Sequence, residues 1–157
     1  MTRLYGRAVK GERVRDLAPH GHWCTTTMIS SIRSNGTTAC MAVDGSTTGE
    51  VFRAYVEHVL VPSLEPGDIV ILDNLSSHKD KPSLELINRA GAEVRFLPPY
   101  SPDLNPIEKM WSKIKQILRS IKARTQEALL SAITTALERI SENDAHGWFA
   151  SCGYSIN

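Results

Sequence analysis

Asp68-Ile69-Val70-Ile71-Leu72-Asp73-Asn74 is the stretch that decides the fold. Four consecutive branched or aliphatic residues lie between the Pro66-Gly67 turn and a polar pair. That pattern predicts a short strand buried on both faces, as parallel strands inside an α/β sheet are. The strand ends in Asp73, and the carboxyl edge of an open α/β sheet is where loops diverge and leave a crevice for ligands. A carboxylate next to four apolar residues is costly to bury without a partner. A hard divalent cation is one such partner; an Asx-turn with the following loop is the structural alternative.

Working outward, the segment from His22 to Ile32 and that from Thr37 to Val43 are rich in Thr, Ile, Val and Met. The Ser34-Asn35-Gly36 break between them is a turn signal, so the pair reads as an antiparallel hairpin. Residues 48–60 fit an amphipathic helix through Val51, Phe52, Tyr55, Val56 and Val59, ended by Pro62. Downstream, a helix over 81–90 and a strand over 93–97 lead into a proline-rich loop. A long helix over 106–122 follows, with a buried stripe of Ile107, Met110, Trp111, Ile114, Ile117, Leu118 and Ile121. The helix over 126–140 repeats that pattern with Leu129, Leu130, Ile133, Leu137 and Ile140. The order hairpin, helix, strand, helix, strand, helix, helix predicts a single α/β domain over 1–157, a mixed sheet flanked by helices.

Glu108 stands at a helix start, with Asn105 at the N-cap, Pro106 at N1 and Glu108 at N3. Two readings are open there. A Glu at N3 can close a capping box onto the N-cap backbone, or it can serve as a ligand, ionised in the favourable field of the helix N-terminus. The preceding Leu97-Pro98-Pro99-Tyr100-Ser101-Pro102-Asp103-Leu104-Asn105-Pro106 carries four prolines. They stiffen the loop by fixing φ and biasing the preceding residues to extended geometry. A rigid loop delivering a carboxylate is how a site is held to a fraction of an ångström.

The chain has 157 residues, 41% of them hydrophobic and 22% charged, enough for a real core. No apolar run approaches the ~18 residues of a membrane span. Cys24, Cys40 and Cys152 are odd in number and form no CxxC pair, which argues against a disulfide framework or zinc site and for a reducing compartment. The net charge is only +1, but its distribution is uneven. Arg3, Arg7, Lys10, Arg13 and Arg15 face only Glu12 near the start, and Lys109, Lys113, Lys115, Arg119, Lys122 and Arg124 form an acid-free run. Such blocks suit phosphate backbones, although basic runs are most often solvated faces. His58 and His146 fall on predicted helices, and His20-Gly21-His22 lacks a third ligand at useful spacing. Trp23, Trp111 and Trp148 read as core residues.

Leu72-Asp73-Asn74, then Ser77-His78-Lys79, then the run from Leu97 to Glu108 together resemble the DDE catalytic domain of transposases. The likeness is to the bacterial insertion-sequence-630 type and its mariner-like relatives. Between Asp73 and Glu108 lie 34 residues (74 to 107), as between the second and third carboxylates of that superfamily. Tyr5-Gly6-Arg7 and Pro19-His20-Gly21-His22-Trp23 are similar to the family too.

The resemblance implies a ribonuclease-H-like fold and metal-dependent DNA strand cleavage and strand transfer during transposition of an insertion sequence. Two Mg²⁺ or Mn²⁺ ions, roughly 4 Å apart, clamp the attacking and leaving oxygens in such chemistry. Asp73 and Glu108 are the implied catalytic metal ligands. Asn74 and Asn105 are candidates for orienting them, and His78 and Lys79 for contact with the DNA backbone. Lys113 and Lys115 are DNA-contacting candidates on the basic helix. The implied partners are insertion-sequence ends and target DNA, in a bacterial cytoplasmic, nucleoid-associated protein without membrane attachment.

The family's first catalytic Asp ends the first strand of the sheet, upstream of the segment matched by Tyr5-Gly6-Arg7. The expectation is therefore a catalytic domain lacking its N-terminal portion, with the first strand missing from the sheet. Asp16 and Asp44 are poor substitutes, one in a polar loop and the other in turn chemistry. Such a chain is expected to be weak or inert alone, acting as a homodimer or paired with an upstream-frame transposase fragment. The alternative class is a catalytically inert DNA-binding or dimerisation module. A host ribonuclease H shares the implied fold and metals, but the proline-rich loop resembles transposases far more closely.

Overall fold

The structure is a computed structural model that describes residues 6–15 and 25–155. Tyr5, Asp16, the histidine pair His20 and His22, Trp23 and Cys24 lie outside the described residues. Arg7, Lys10, Arg13 and Arg15 of the N-terminal basic cluster are all exposed.

The expected hairpin is present. Strands β1 (Thr26–Ile32) and β2 (Thr38–Asp44) pair antiparallel, Thr26 opposite Asp44 and Ile32 opposite Thr38. At the turn, the Asn35 side-chain oxygen accepts from the Thr37 amide at 2.9 Å. Gly36 takes φ +87°, and a Cβ there would stand 3.1 Å from the Glu142 backbone. Turn geometry and close approach both demand glycine at that position.

Helix α1 (Gly49–Tyr55) starts on Thr48, whose hydroxyl accepts from the Val51 amide. The chain stays helical to Ser63 but changes geometry, widening to a π-helical turn over Val56–Leu60 and tightening to a 3₁₀ turn over Val61–Ser63 at Pro62. Phe52, Tyr55, Val56 and Leu60 are buried, as the apolar periodicity required. Burial pushes the Tyr55 phenol up to about 12, so it remains a donor, to the Ala39 carbonyl at 3.0 Å.

Strand β3 (Ile69–Leu72), helix α2 (Lys81–Arg89) and strand β4 (Glu93–Phe96) form a parallel βαβ unit, with Ile69 opposite Glu93 and Leu72 opposite Phe96. Three helices follow: α3 (Pro106–Ile121), α4 (Gln126–Glu138) and α5 (Glu142–Ser151). The last was absent from the element order read from the sequence. Its start is fixed by a reciprocal capping box between Ser141 and Asp144.

The structure departs from three expectations. Among the described residues there is no single mixed sheet; β1 pairs only with β2 and β3 only with β4. For the same reason β3 is not buried on both faces, and the Ile69 residue is 48% exposed. Ile121 and Leu130 are also exposed rather than part of a buried stripe. Ile121 lies in the last turn of its helix, and Leu130 sits at the margin of the face centred on Ala132, Ile133 and Ala136.

Two apolar clusters sandwich the strands. Ile29 joins Phe52, Tyr55, Val56, Leu60, Ile87 and Ala92, against which Val70 and Leu72 pack. Met28 and Ile32, on the opposite face of β1, pack against Met110, Ile114, Leu118, Ala132, Ile133 and Ala136. The alternation of side chains along a strand thus puts α1 and α2 on one side and α3 to α5 on the other.

Candidate active site

Asp73 directly follows β3, where the ladder ends and the chain turns away. Its Oδ1 accepts from the Leu75 amide at 2.9 Å, which is the Asx-turn expected of a strand-end aspartate. The same oxygen stands 2.7 Å from Nδ1 of His78, which a 3₁₀ turn (Ser76–Lys79) folds back over it. The Asp73 side chain is 46% exposed and that of His78 only 20%. The His78 ring rests on Phe52, with centroids 4.6 Å apart. Its Nδ1 is buried and not aligned for a directed hydrogen bond, and neighbouring Ser77 Oγ is also buried without a partner among the described residues. The structural role of Asp73 therefore occupies one carboxylate oxygen. The other makes no hydrogen bond among the described residues.

At the start of α3 the two readings of Glu108 separate. Asn105 caps the helix, its side-chain oxygen accepting from the Ile107 amide at 3.4 Å. The Asn105 backbone N–H, which a capping box would offer to Glu108, already donates to the Pro102 carbonyl at 3.1 Å. Glu108 is exposed, and its carboxylate forms no hydrogen bond or ion pair among the described residues. The 3₁₀ turn at Pro102–Leu104 satisfies the cap and leaves the acid available.

The proline loop that delivers Glu108 is held at both ends. Asn74 Nδ2 donates to the Leu97 carbonyl at 2.5 Å, joining the exit of β3 to the exit of β4. Tyr154 donates its hydroxyl to the Leu104 carbonyl at 2.9 Å. That second tie was not foreseen, since the partners are 50 residues apart and nothing local marks the pair. Tyr100, at the loop's tip, is fully exposed and holds φ +58°. A non-glycine residue there is strained and needs the surrounding prolines to keep it in place.

Asp73, His78, Asn105 and Glu108 line one cavity of about 420 Å³, together with apolar residues from both strand pairs. The structure thus brings together four of the residues singled out in the sequence. Others it places elsewhere. Asn74 serves the loop tie just described. Lys113 is engaged within the fold, its Nζ donating to Asp144 at 2.5 Å and to the Arg139 carbonyl at 2.8 Å. Its long side chain reaches α5, the helix absent from the expected order. Lys79 and Lys115 are exposed and make no ion pair among the described residues. Asp44 accepts from Gln126 on α4, which suits a structural acid.

Among the described residues no three of His, Cys, Asp and Glu cluster as a metal cage. Asp73 and Glu108 supply two hard oxygen donors. That set fits one Mg²⁺, which is commonly held by one or two carboxylates plus substrate phosphates and retained water. A second ion requires an additional acid.

A parallel βαβ unit brings Asp73 to the carboxyl end of β3, where ligands bind in open α/β sheets, and the proline loop after β4 leads to Glu108 on the same cavity. The chain belongs to the DDE superfamily endonucleases, whose family model matches residues 1–130. Membership makes DNA the substrate class and divalent metal the usual requirement. No curated protein matches the chain. No helix among the described residues is long and apolar enough to cross a membrane.

Proposed function

We propose that this chain is the catalytic-core portion of a DNA transposase of the insertion-sequence-630 type, in which Asp73 and Glu108 bind a divalent cation at the DNA phosphate being cut. The observation that carries the reading is the state of Glu108. It lines the cavity with Asp73 although 34 residues (74 to 107) intervene, and its helix cap is already made without it.

Bound Mg²⁺ or Mn²⁺ supplies charge stabilisation for the attacking and leaving oxygens of an in-line phosphodiester displacement. The chain's own contribution is placement. Asp73 offers its unbonded oxygen while the Leu75 amide fixes the other. His78, wedged on Phe52, limits how far the Asp73 carboxylate can swing. Asn105 sets the first turn of α3 and therefore the direction of Glu108. Lys79 and Lys115 are exposed cations available to flanking DNA phosphates. With two acids the site is one carboxylate short of a two-ion set, and that acid is supplied from outside the described residues. Pairing with a further transposase fragment would supply it.

Metal titration of the purified chain, followed by Mn²⁺ binding and by cleavage of element-end DNA, tests the reading. Asp73→Asn and Glu108→Gln are each expected to weaken Mn²⁺ binding at least about tenfold without altering the far-ultraviolet circular dichroism. Unchanged Mn²⁺ affinity in both variants would remove the site.

A further inference from the structure

Helix α5 ends on a signal that turns the chain back on itself. Gly153 takes φ +87° with open space where a Cβ would stand, so backbone conformation alone requires glycine there. The Tyr154 amide donates to the Phe149 carbonyl at 3.1 Å, and the Gly153 amide to the Ala150 carbonyl at 3.0 Å. With the Phe149 and Tyr154 rings in edge-on contact, centroids 5.7 Å apart, these bonds form a Schellman cap and its apolar contact. The cap aims the phenol, whose hydroxyl donates to the Leu104 carbonyl at 2.9 Å. The helix that carries it is anchored at its start. Asp144 pairs with Lys113 of α3, and the Glu142 backbone lies close against Gly36 of the hairpin turn.

The Leu104 carbonyl and the Asn105 amide belong to one planar peptide unit. Tyr154 holds one end of that plane, and the Pro102 carbonyl holds the other by accepting from the Asn105 amide at 3.1 Å. Rotation of the plane would change the entry angle of α3. It would also release the Asn105 N–H, the donor that a capping box offers to an acid at N3. Glu108 occupies N3. A loose plane therefore gives its carboxylate a structural partner and draws it from the cavity it shares with Asp73. We infer that Tyr154 is a positioning residue for Glu108. Its hydrogen bond locks the peptide plane before the cap, keeps the Asn105 amide on Pro102, and leaves the Glu108 carboxylate free to take a divalent cation with Asp73. The inference rests on the proposed role of Glu108 as a metal ligand. Tyr154 itself lies beyond the residues that the family model matches, and it acts only through the loop.

The test is Tyr154→Phe in the whole chain, which removes the hydroxyl and keeps the ring against Phe149. Without metal, hydrogen exchange at the Asn105 amide is expected to quicken about threefold or more. Mn²⁺ affinity, read from the paramagnetic resonance of the free ion, is expected to fall about three- to tenfold, the range of one lost hydrogen bond. In a Glu108→Gln background the same substitution is expected to cause no further loss, because the residue it positions is already gone. An equal loss in both backgrounds would mean that Tyr154 acts on general stability, and would overturn the inference while leaving the metal site in place. Unchanged affinity in Tyr154→Phe, with Glu108→Gln still weakening binding, would overturn it in the same way. If Glu108→Gln leaves Mn²⁺ affinity unchanged, the metal-site reading fails and the inference falls with it.

Discussion

Two helix starts in this molecule use acidic residues in opposite ways. At α2 the acid is consumed. Asp80 is the N-cap, accepting from the Ser83 amide at 3.1 Å and its hydroxyl at 2.6 Å, and it takes a two-point pair from Arg53. That guanidinium, and then Ser83, hold the Asp80 carboxyl far below the usual carboxylate range. At α3 an uncharged Asn105 makes the cap, the proline turn takes the remaining backbone donor, and Glu108 is left over. An acid at a helix start is structural when it is the only group able to satisfy the free amides. It becomes available for other work when another residue has already done so.

The sharpest way to break this contrast is to exchange the consequences. Glu108→Gln is expected to abolish metal-dependent cleavage by about 100-fold or more in any assembly where the domain is active, with Tm unchanged by calorimetry. A large fall in Tm would show that Glu108 is structural after all. Asp80→Ala is expected to do the reverse, lowering Tm by several degrees through loss of the cap and the Arg53 pair, while Mn²⁺ affinity stays the same. Asn105→Ala should cost about 1 kcal/mol in chemical denaturation and also weaken Mn²⁺ binding, because the cap aims Glu108. Asn105→Asp should restore the stability.

A smaller effect is expected where α3 meets α5. The Lys113 ammonium, with Ser141 as a second donor, lowers the Asp144 carboxyl from the usual 3.8 to about 2. A depressed folded-state value contributes stability above the unfolded value that is lost as pH falls. The pair should therefore be intact above about pH 4 and fail as pH drops towards 2, freeing α5 from α3. Because the pair is partly exposed, Lys113→Met is expected to cost up to about 1 kcal/mol at neutral pH, less at high salt. Denaturation curves at pH 6 and pH 3 would show the difference shrinking.

The elements were largely legible because their signals are local. Ile69 to Leu72 read as a strand, and Asn35-Gly36 as a turn. The stripe through Met110, Ile114 and Leu118 read as a helix, within a residue or two of the observed limits. The candidate acids were legible for the same reason, one at a strand end and one at a helix N3 position. What failed was relational. The Lys113 ion pair was not foreseen because its partner lies on a helix 31 residues away, and β3 looked doubly buried because periodicity reports hydrophobicity rather than neighbours.

By itself, then, the sequence determined which segments are strands and helices, which loop is rigid, and which two carboxylates are candidates for metal. These follow from torsional preference, side-chain periodicity and proline geometry, all of which act within a few residues. Only the tertiary structure decided that, among the described residues, the strands form two separate pairs, that Asp73 commits one oxygen to its own turn, and that Glu108 commits none. Pairing and hydrogen-bond satisfaction depend on groups far apart along the chain, and no local pattern records which of them a donor will find first.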